Sequence, residues 1–208
     1  MLPKLKHFLR ESWLLIVASF FFGLLIAATN AALAARIEMN KITKLTSLAT
    51  GLLPDAKGFA PLQEPFEVRA LDGRAEPATI YRAVAGDETA GWVFRVTGSG
   101  FSDKIEMVVA TDASFEKLAG FDVLASNETP GFGDQIKEPF FRNEFAGAPA
   151  DHFMLANAGS REQYDSTIVA ISGATVSSTA VVEAMNHYLP QFKEQLEQKG
   201  LIGNGNEP

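Results

Sequence analysis

The stretch "STIVAISGATVSSTAVVEAM", Ser166 to Met185, changes its period halfway along. Its first part, "STIVAIS", is rich in β-branched residues and reads as a strand. From about Ser178 to Gln198 apolar residues recur at helical spacing: Val181, Met185, Tyr188, Phe192 and Leu196 fall along one face. Pro190 is expected to kink that helix. Between strand and helix stands "SGATVSS", Ser172 to Ser178, where Gly173 and Ala174 let a backbone come close. Ser172, Thr175, Ser177, Ser178 and Thr179 offer hydroxyls. Serine and threonine are common helix caps, and a structural cap is the plainer reading of these residues alone. The sharper reading is a phosphate site, because a helix start exposes unpaired N–H groups and a partial positive charge.

Upstream, strand-like runs follow one another: "FEVRAL", "ATIYRAV", "GWVFRVT", "IEMVVAT" and "GFDVLAS". They are separated by Asp-Gly, Gly-Asp and Gly-Ser-Gly turns. "IYRAV" and "WVFRVT" alternate in part, as a sheet with one wet face does. The body, 66–199, is therefore read as α+β: a mainly antiparallel sheet with packed helices. The connector, 36–65, can begin as helix in "RIEMNKITKLTSLATGLL", and then Pro54, Gly58, Pro61 and Pro65 break any regular pattern. The tail, 200–208, reads as frayed and flexible.

The N-terminal segment has a different character. No Asp, Glu, Lys or Arg occurs from Ser12 to Ala35. As a helix this stretch reaches roughly 36 Å, enough to cross a hydrocarbon core of about 30 Å. Trp13 lies at one end, and Lys4, Lys6 and Arg10 precede it in the short segment 1–11. The positive-inside rule then keeps the N-terminus cytoplasmic and exports the body. "ALA" at Ala32 to Ala34 resembles a signal-peptide cleavage site, but the apolar run is longer than a signal core, which favours an uncleaved anchor. Gly23, Ala27, Ala31 and Ala35 recur every fourth residue, so another helix could approach closely; ordinary lipid-facing alanine explains them as well.

Composition excludes several functions. There is no cysteine, hence no disulfide, thiolate nucleophile or cysteine-held metal. His7, His152 and His187 are scattered without ligand spacing, and no metal site is expected. The formal net charge is −7, and through Lys44 the basic residues Lys4, Lys6, Arg10, Arg36, Lys41 and Lys44 face only Glu11 and Glu38, so the remaining body is strongly acidic and unsuited to nucleic acid.

A second loop is "SNETPGFGDQI", Ser126 to Ile136. Pro130, Gly131 and Gly133 make it tight and open. Glu128 and Asp134 have no paired base or nucleophile and read as solvated acids. Taken together, the "ETPGFG" loop and "SGATVSS" before a terminal helix resemble the covalent FMN-binding domain family. Within it the chain is similar to the G subunits of Rnf-type ferredoxin:NAD oxidoreductase complexes, and to the related C subunits of sodium-translocating NADH:quinone reductases. The resemblance spans nearly the whole chain. It implies FMN held by a phosphoester to Thr175, attached from FAD by a separate flavin transferase of the ApbE type. It further implies an electron-transfer subunit, not a stand-alone enzyme, in a bacterial inner membrane, single-pass, with its flavin domain on the periplasmic side. Its partners would be the other membrane subunits of an ion-translocating complex.

On that resemblance Ser172 and Ser177 become phosphate partners beside Gly173 and Ala174, with Ser178 and Thr179 as caps. The Glu128–Gly133 loop, with Glu128, Thr129, Pro130, Gly131 and Phe132, becomes the candidate bed of the isoalloxazine ring. The family often carries Asp three residues before the motif; Val169 stands there, and the nearest upstream acid is Asp165. Other readings stay open: an anchored scaffold or binding domain without flavin, or a flavin domain serving an extracytoplasmic reductase.

Overall fold

The computed structural model describes residues 2–159 and 165–203, with side chains from residue 12 onward except at 38. The chain divides into two compact units, Met1–Thr43 and Lys44–Pro208.

The first unit is helical. Helix α1 runs Leu2–Leu52, so its last turns belong to the second unit. Trp13, Phe20, Phe21, Phe22 and Ile26 all stand exposed on it. Within Ser12–Leu52 the helix is long and apolar enough to cross a membrane. Thr29 and Thr43 turn their hydroxyls back to the carbonyls of Leu25 and Met39, which satisfies them within the helix. His7, Lys4, Lys6 and Arg10 have side chains outside the described residues.

The second unit is built on five antiparallel strands in the order β1-β4-β5-β6-β7. These are β1 (Gly58–Pro61), β4 (Ile80–Ala85), β5 (Glu88–Ser99), β6 (Lys104–Asp112) and β7 (Leu118–Ala125). The hairpin β2 (Phe66–Arg69) and β3 (Ala75–Ala78) and the parallel pair β8 (Met154–Ala156) and β9 (Thr167–Val169) complete the strands. Strand β1 departs from the expected irregular connector: the proline-marked stretch pairs at the sheet edge, where a missing N–H is tolerated. The short α2 (Pro139–Arg142) and a 3-10 turn over Gly133–Lys137 carry no clear sequence signal either.

The expected wet face is the main correction to the sheet. Trp92, Phe94 and Val96 of β5, with Ile105, Met107 and Val109 of β6, point into the larger core. Val93, Val108 and Ala110 point the other way, into a second core with Leu45, Ala49 and Leu53 from the end of α1. Alternation is blurred because both faces are covered. Lys44 also donates to the carbonyl of Leu124, which fixes that helix end on β7.

The last helix, α3 (Thr175–Gln198), lies on the larger core. Its predicted face holds: Val181, Met185, Tyr188, Phe192 and Leu196 are all buried. Each such side chain contributes about 1.5–3 kcal/mol. Phe192 meets Phe94 with ring centroids 4.4 Å apart. The helix approaches β5 so closely that a Cβ on Gly98 would strike the carbonyl of Ala180. Pro190 sits inside the helix, which continues beyond it.

Polar side chains of α3 stand in for strand partners. Gln191 accepts from the Arg69 amide at 2.7 Å, and Gln195 donates to the Glu67 carbonyl at 2.8 Å. His187 bonds the Arg69 carbonyl. Asn186 accepts from the Phe153 amide at 2.7 Å and donates to its carbonyl at 2.8 Å. The tail does not fray at once: Gly200 turns the chain, and Ile202 returns to the core at 7% exposure. Residues 204–208 lie outside the described residues.

Candidate functional site

Helix α3 begins three residues earlier than its periodicity suggests. Its first turn is Thr175–Ser178, and its N-cap is Ala174 without a side-chain cap. Thr175 is exposed on that first turn. The first intrahelical bond is from the Ser178 amide to the Ala174 carbonyl, at 3.0 Å. The amides of Thr175, Val176 and Ser177 precede it and carry the positive end of the helix dipole. Ser178, expected as a cap, is instead an internal bracket: it accepts from the Ile171 amide and donates to the Ala174 carbonyl. Gly173 supplies the turn, with φ of 78°.

The "ETPGFG" loop comes to the same place. A cleft of about 500 Å³, within the usual range for small-molecule sites, is lined by Glu128, Thr129, Phe132, Gly133, Gly173, Ala174, Thr175 and Ser177. Phe101 and Val176 complete it. Of the residues expected to hold the phosphate or the ring, Ser172, Pro130 and Gly131 lie outside the lining; all three are exposed. Gly131 (φ of 77°) turns the loop, and its carbonyl accepts from Gln135 at 2.6 Å.

Two side chains differ from their sequence reading. Glu128 is not solvated but buried at 5% exposure. It accepts from the Ser102 amide at 2.9 Å and from the Ser177 hydroxyl. Ser177, read as a phosphate donor, therefore gives its hydrogen to Glu128, and it is itself 2% exposed. The two donors make burial of the carboxylate tolerable. Asp134, likewise read as solvated, sits half-buried in the 3-10 turn next to Gly133 and is not itself part of the cleft lining.

Sequence reasoning misses two lining residues, Val176 within the motif and Phe101. Phe101 follows the Gly-Ser-Gly turn, 27 positions before Glu128 in the chain, and only the fold brings it to the cleft. Phe101 and Phe132 are 73% and 57% exposed, an unusual display of two large aromatic rings beside one threonine. Val169, where the resemblance leads one to expect Asp, ends β9 with its side chain buried, and its amide donates to Glu144 at 2.6 Å. Asp165 is exposed and accepts from the Thr167 amide at 2.7 Å. Among the described residues no group of three or more His, Asp or Glu is placed to hold a metal ion.

The strand-to-helix turn thus faces an aromatic-rimmed loop across one cleft, and residues 100–190 match the FMN-binding domain. Over 175 residues the chain is 30% identical to the G subunit of the ion-translocating oxidoreductase complex of Methanosarcina acetivorans, covering 83% of this chain and 87% of that one. The G subunit of the Na(+)-translocating ferredoxin:NAD(+) oxidoreductase complex of Acetobacterium woodii is 26% identical over 180 residues, 83% of this chain and 86% of that one. The C subunit of the Na(+)-translocating NADH-quinone reductase of Vibrio anguillarum is 28% identical over 126 residues, 56% of this chain and 48% of that one. Among solved structures, Shewanella oneidensis NqrC shares the fold with a TM-score of 0.53 at 21% identity, over 69% of this chain and 72% of that one. The chain belongs to the family of G subunits of ion-translocating oxidoreductase complexes.

Proposed function

We propose that this chain is the flavin-carrying, electron-transfer subunit of a membrane-bound, ion-translocating redox complex of Rnf type. The observation that carries the reading is the exposed Thr175 on the first turn of α3, facing the cleft with the "ETPGFG" loop. The relatives named as G subunits of such complexes support it across most of the chain.

The residues fit FMN. A phosphoester needs a hydroxyl that an attaching enzyme can reach, and Thr175 is exposed between Ala174 and Val176. The amides that open α3 suit a phosphate. Phe101 and Phe132 suit the faces or edges of a flat ring. Attachment joins the Thr175 oxygen to the flavin-side phosphorus of FAD, breaks the pyrophosphate bond and releases AMP; the hydroxyl proton is lost. An ApbE-type transferase is the proposed agent. FMN supplies one- and two-electron transfer when bound, and the protein supplies position and environment. The apolar stretch of α1 would anchor the chain in the inner membrane, with the body on the periplasmic side and the other membrane subunits as partners.

Intact mass of the full chain, made with an active flavin transferase, tests the reading. The expected result is one added FMN less one water, absent in Thr175→Ala. An unmodified mass, or label retained by Thr175→Ala, overturns it. In-gel flavin fluorescence after denaturation separates it from a flavin-free scaffold.

A further inference from the structure

We infer that Glu128 is a positioning residue, a buried latch that holds the cleft in shape, and not a ligand to what binds there; this rests on reading the cleft as the FMN site. Glu128 joins three segments that are distant in sequence. Through the Ser102 amide it holds the β5–β6 turn that carries Phe101. Its own backbone belongs to the loop that carries Phe132, and its amide donates to the Ser126 hydroxyl at 3.2 Å. Through the Ser177 hydroxyl it holds the first turn of α3, two residues from Thr175. Both carboxylate oxygens are thus engaged by protein donors.

Two glycines show that the space around this carboxylate is reserved. A Cβ on Gly100 would collide with Oε1 of Glu128 and with the Asp103 carbonyl of its own turn, and a Cβ on Gly133 would collide with Oε2 and with the Ser177 oxygen. Neither glycine has a positive φ, so neither is required by backbone conformation. Their lack of a side chain serves room, in contrast to Gly131 and Gly173, whose φ values of 77° and 78° are left-handed. The Gly-Ser-Gly turn and the Gly-Phe-Gly loop therefore converge on one buried acid. Removing it frees two rims at once: the segment with Phe101 and the segment with Phe132.

The test uses the full chain in detergent, made with an active flavin transferase, as parent, Glu128→Ala, Glu128→Gln and Ser177→Ala. FMN per chain, flavin fluorescence anisotropy, and amide exchange over Gly100–Asp103 are measured, the last also in the flavin-free Thr175→Ala background. Glu128→Ala is expected to keep FMN attached, lower the anisotropy and speed exchange of the Ser102 amide about tenfold, the effect of one lost hydrogen bond. Glu128→Gln, which keeps an acceptor for Ser102 and a partner for Ser177, is expected to stay close to the parent. Parental anisotropy and exchange in Glu128→Ala overturn the latch. So does a Glu128→Gln as impaired as Glu128→Ala, which would make the charge itself the contact. If Glu128→Ala does not fold, Ser177→Ala must show the lowered anisotropy, and parental behaviour there overturns the inference. Absence of FMN from the parent would sink the site reading, while exchange in the Thr175→Ala background still decides the latch.

Discussion

The hydroxyl oxygen of Ser178 accepts the amide hydrogen of Ile171 at 3.0 Å, while its own hydrogen goes to the Ala174 carbonyl at the same distance. Ser178 is fully buried and Ile171 is 2% exposed, so no water can replace this acceptor. Ser178→Ala leaves the amide unsatisfied and is expected to destabilise the fold by about 1–3 kcal/mol. Thermal unfolding of the full chain measures it; an unchanged midpoint would show that the bracket contributes nothing.

Gly173→Ala and Gly133→Ala should both destabilise, for different reasons. At Gly173 the added Cβ finds room, 3.5 Å from Phe132, and the cost is the left-handed backbone, about 1–2 kcal/mol. At Gly133 the backbone is ordinary but the Cβ meets two oxygens at 2.5 Å. Gly133→Ala is therefore expected to be the more damaging of the two in denaturant melts.

Asn186 satisfies both the amide and the carbonyl of Phe153 from the side of α3. Asn186→Ala removes both bonds and should cost about 1–3 kcal/mol. Amide exchange at Phe153 should rise in parallel, and an unchanged rate there would contradict the assignment.

Burial in the core, with Glu76 beside it, pushes the Tyr188 phenol from 10.0 up to about 12. The folded chain holds this proton more tightly than the unfolded one. Its contribution is complete below about pH 10 and is lost as pH rises towards 12. Stability of the parent should fall more steeply through that window than stability of Tyr188→Phe, measured by denaturant titration at each pH. Parallel slopes would argue against a raised phenol.

Much of this is legible in the sequence because it is local. The face of α3 follows from spacing alone, and the long strands follow from β-branched and aromatic runs. Thr175 and the "ETPGFG" loop stand out as short motifs. What escapes depends on tertiary context. Nothing in Gly58–Pro61 advertises a strand; its partner β4 makes it one. The second core exists only because the end of α1 covers Val93 and Val108. Glu128 reads as solvated because its donors, Ser102 and Ser177, lie 26 and 49 residues away. Phe101 has no motif of its own and reaches the cleft only by the turn between β5 and β6.

The cleft is open, with its two phenylalanines turned outward. As a receptor for a freely diffusing molecule that would be a poor design. The attachment to Thr175 proposed above would change the requirement, since a short tether would present the cofactor at an effective concentration of about millimolar or above. The protein then needs only a slight preference for the docked ring over the undocked one. Weak docking would then bring its own advantage: on the proposed attachment, a tethered ring would leave the cleft to meet a partner and return without being lost.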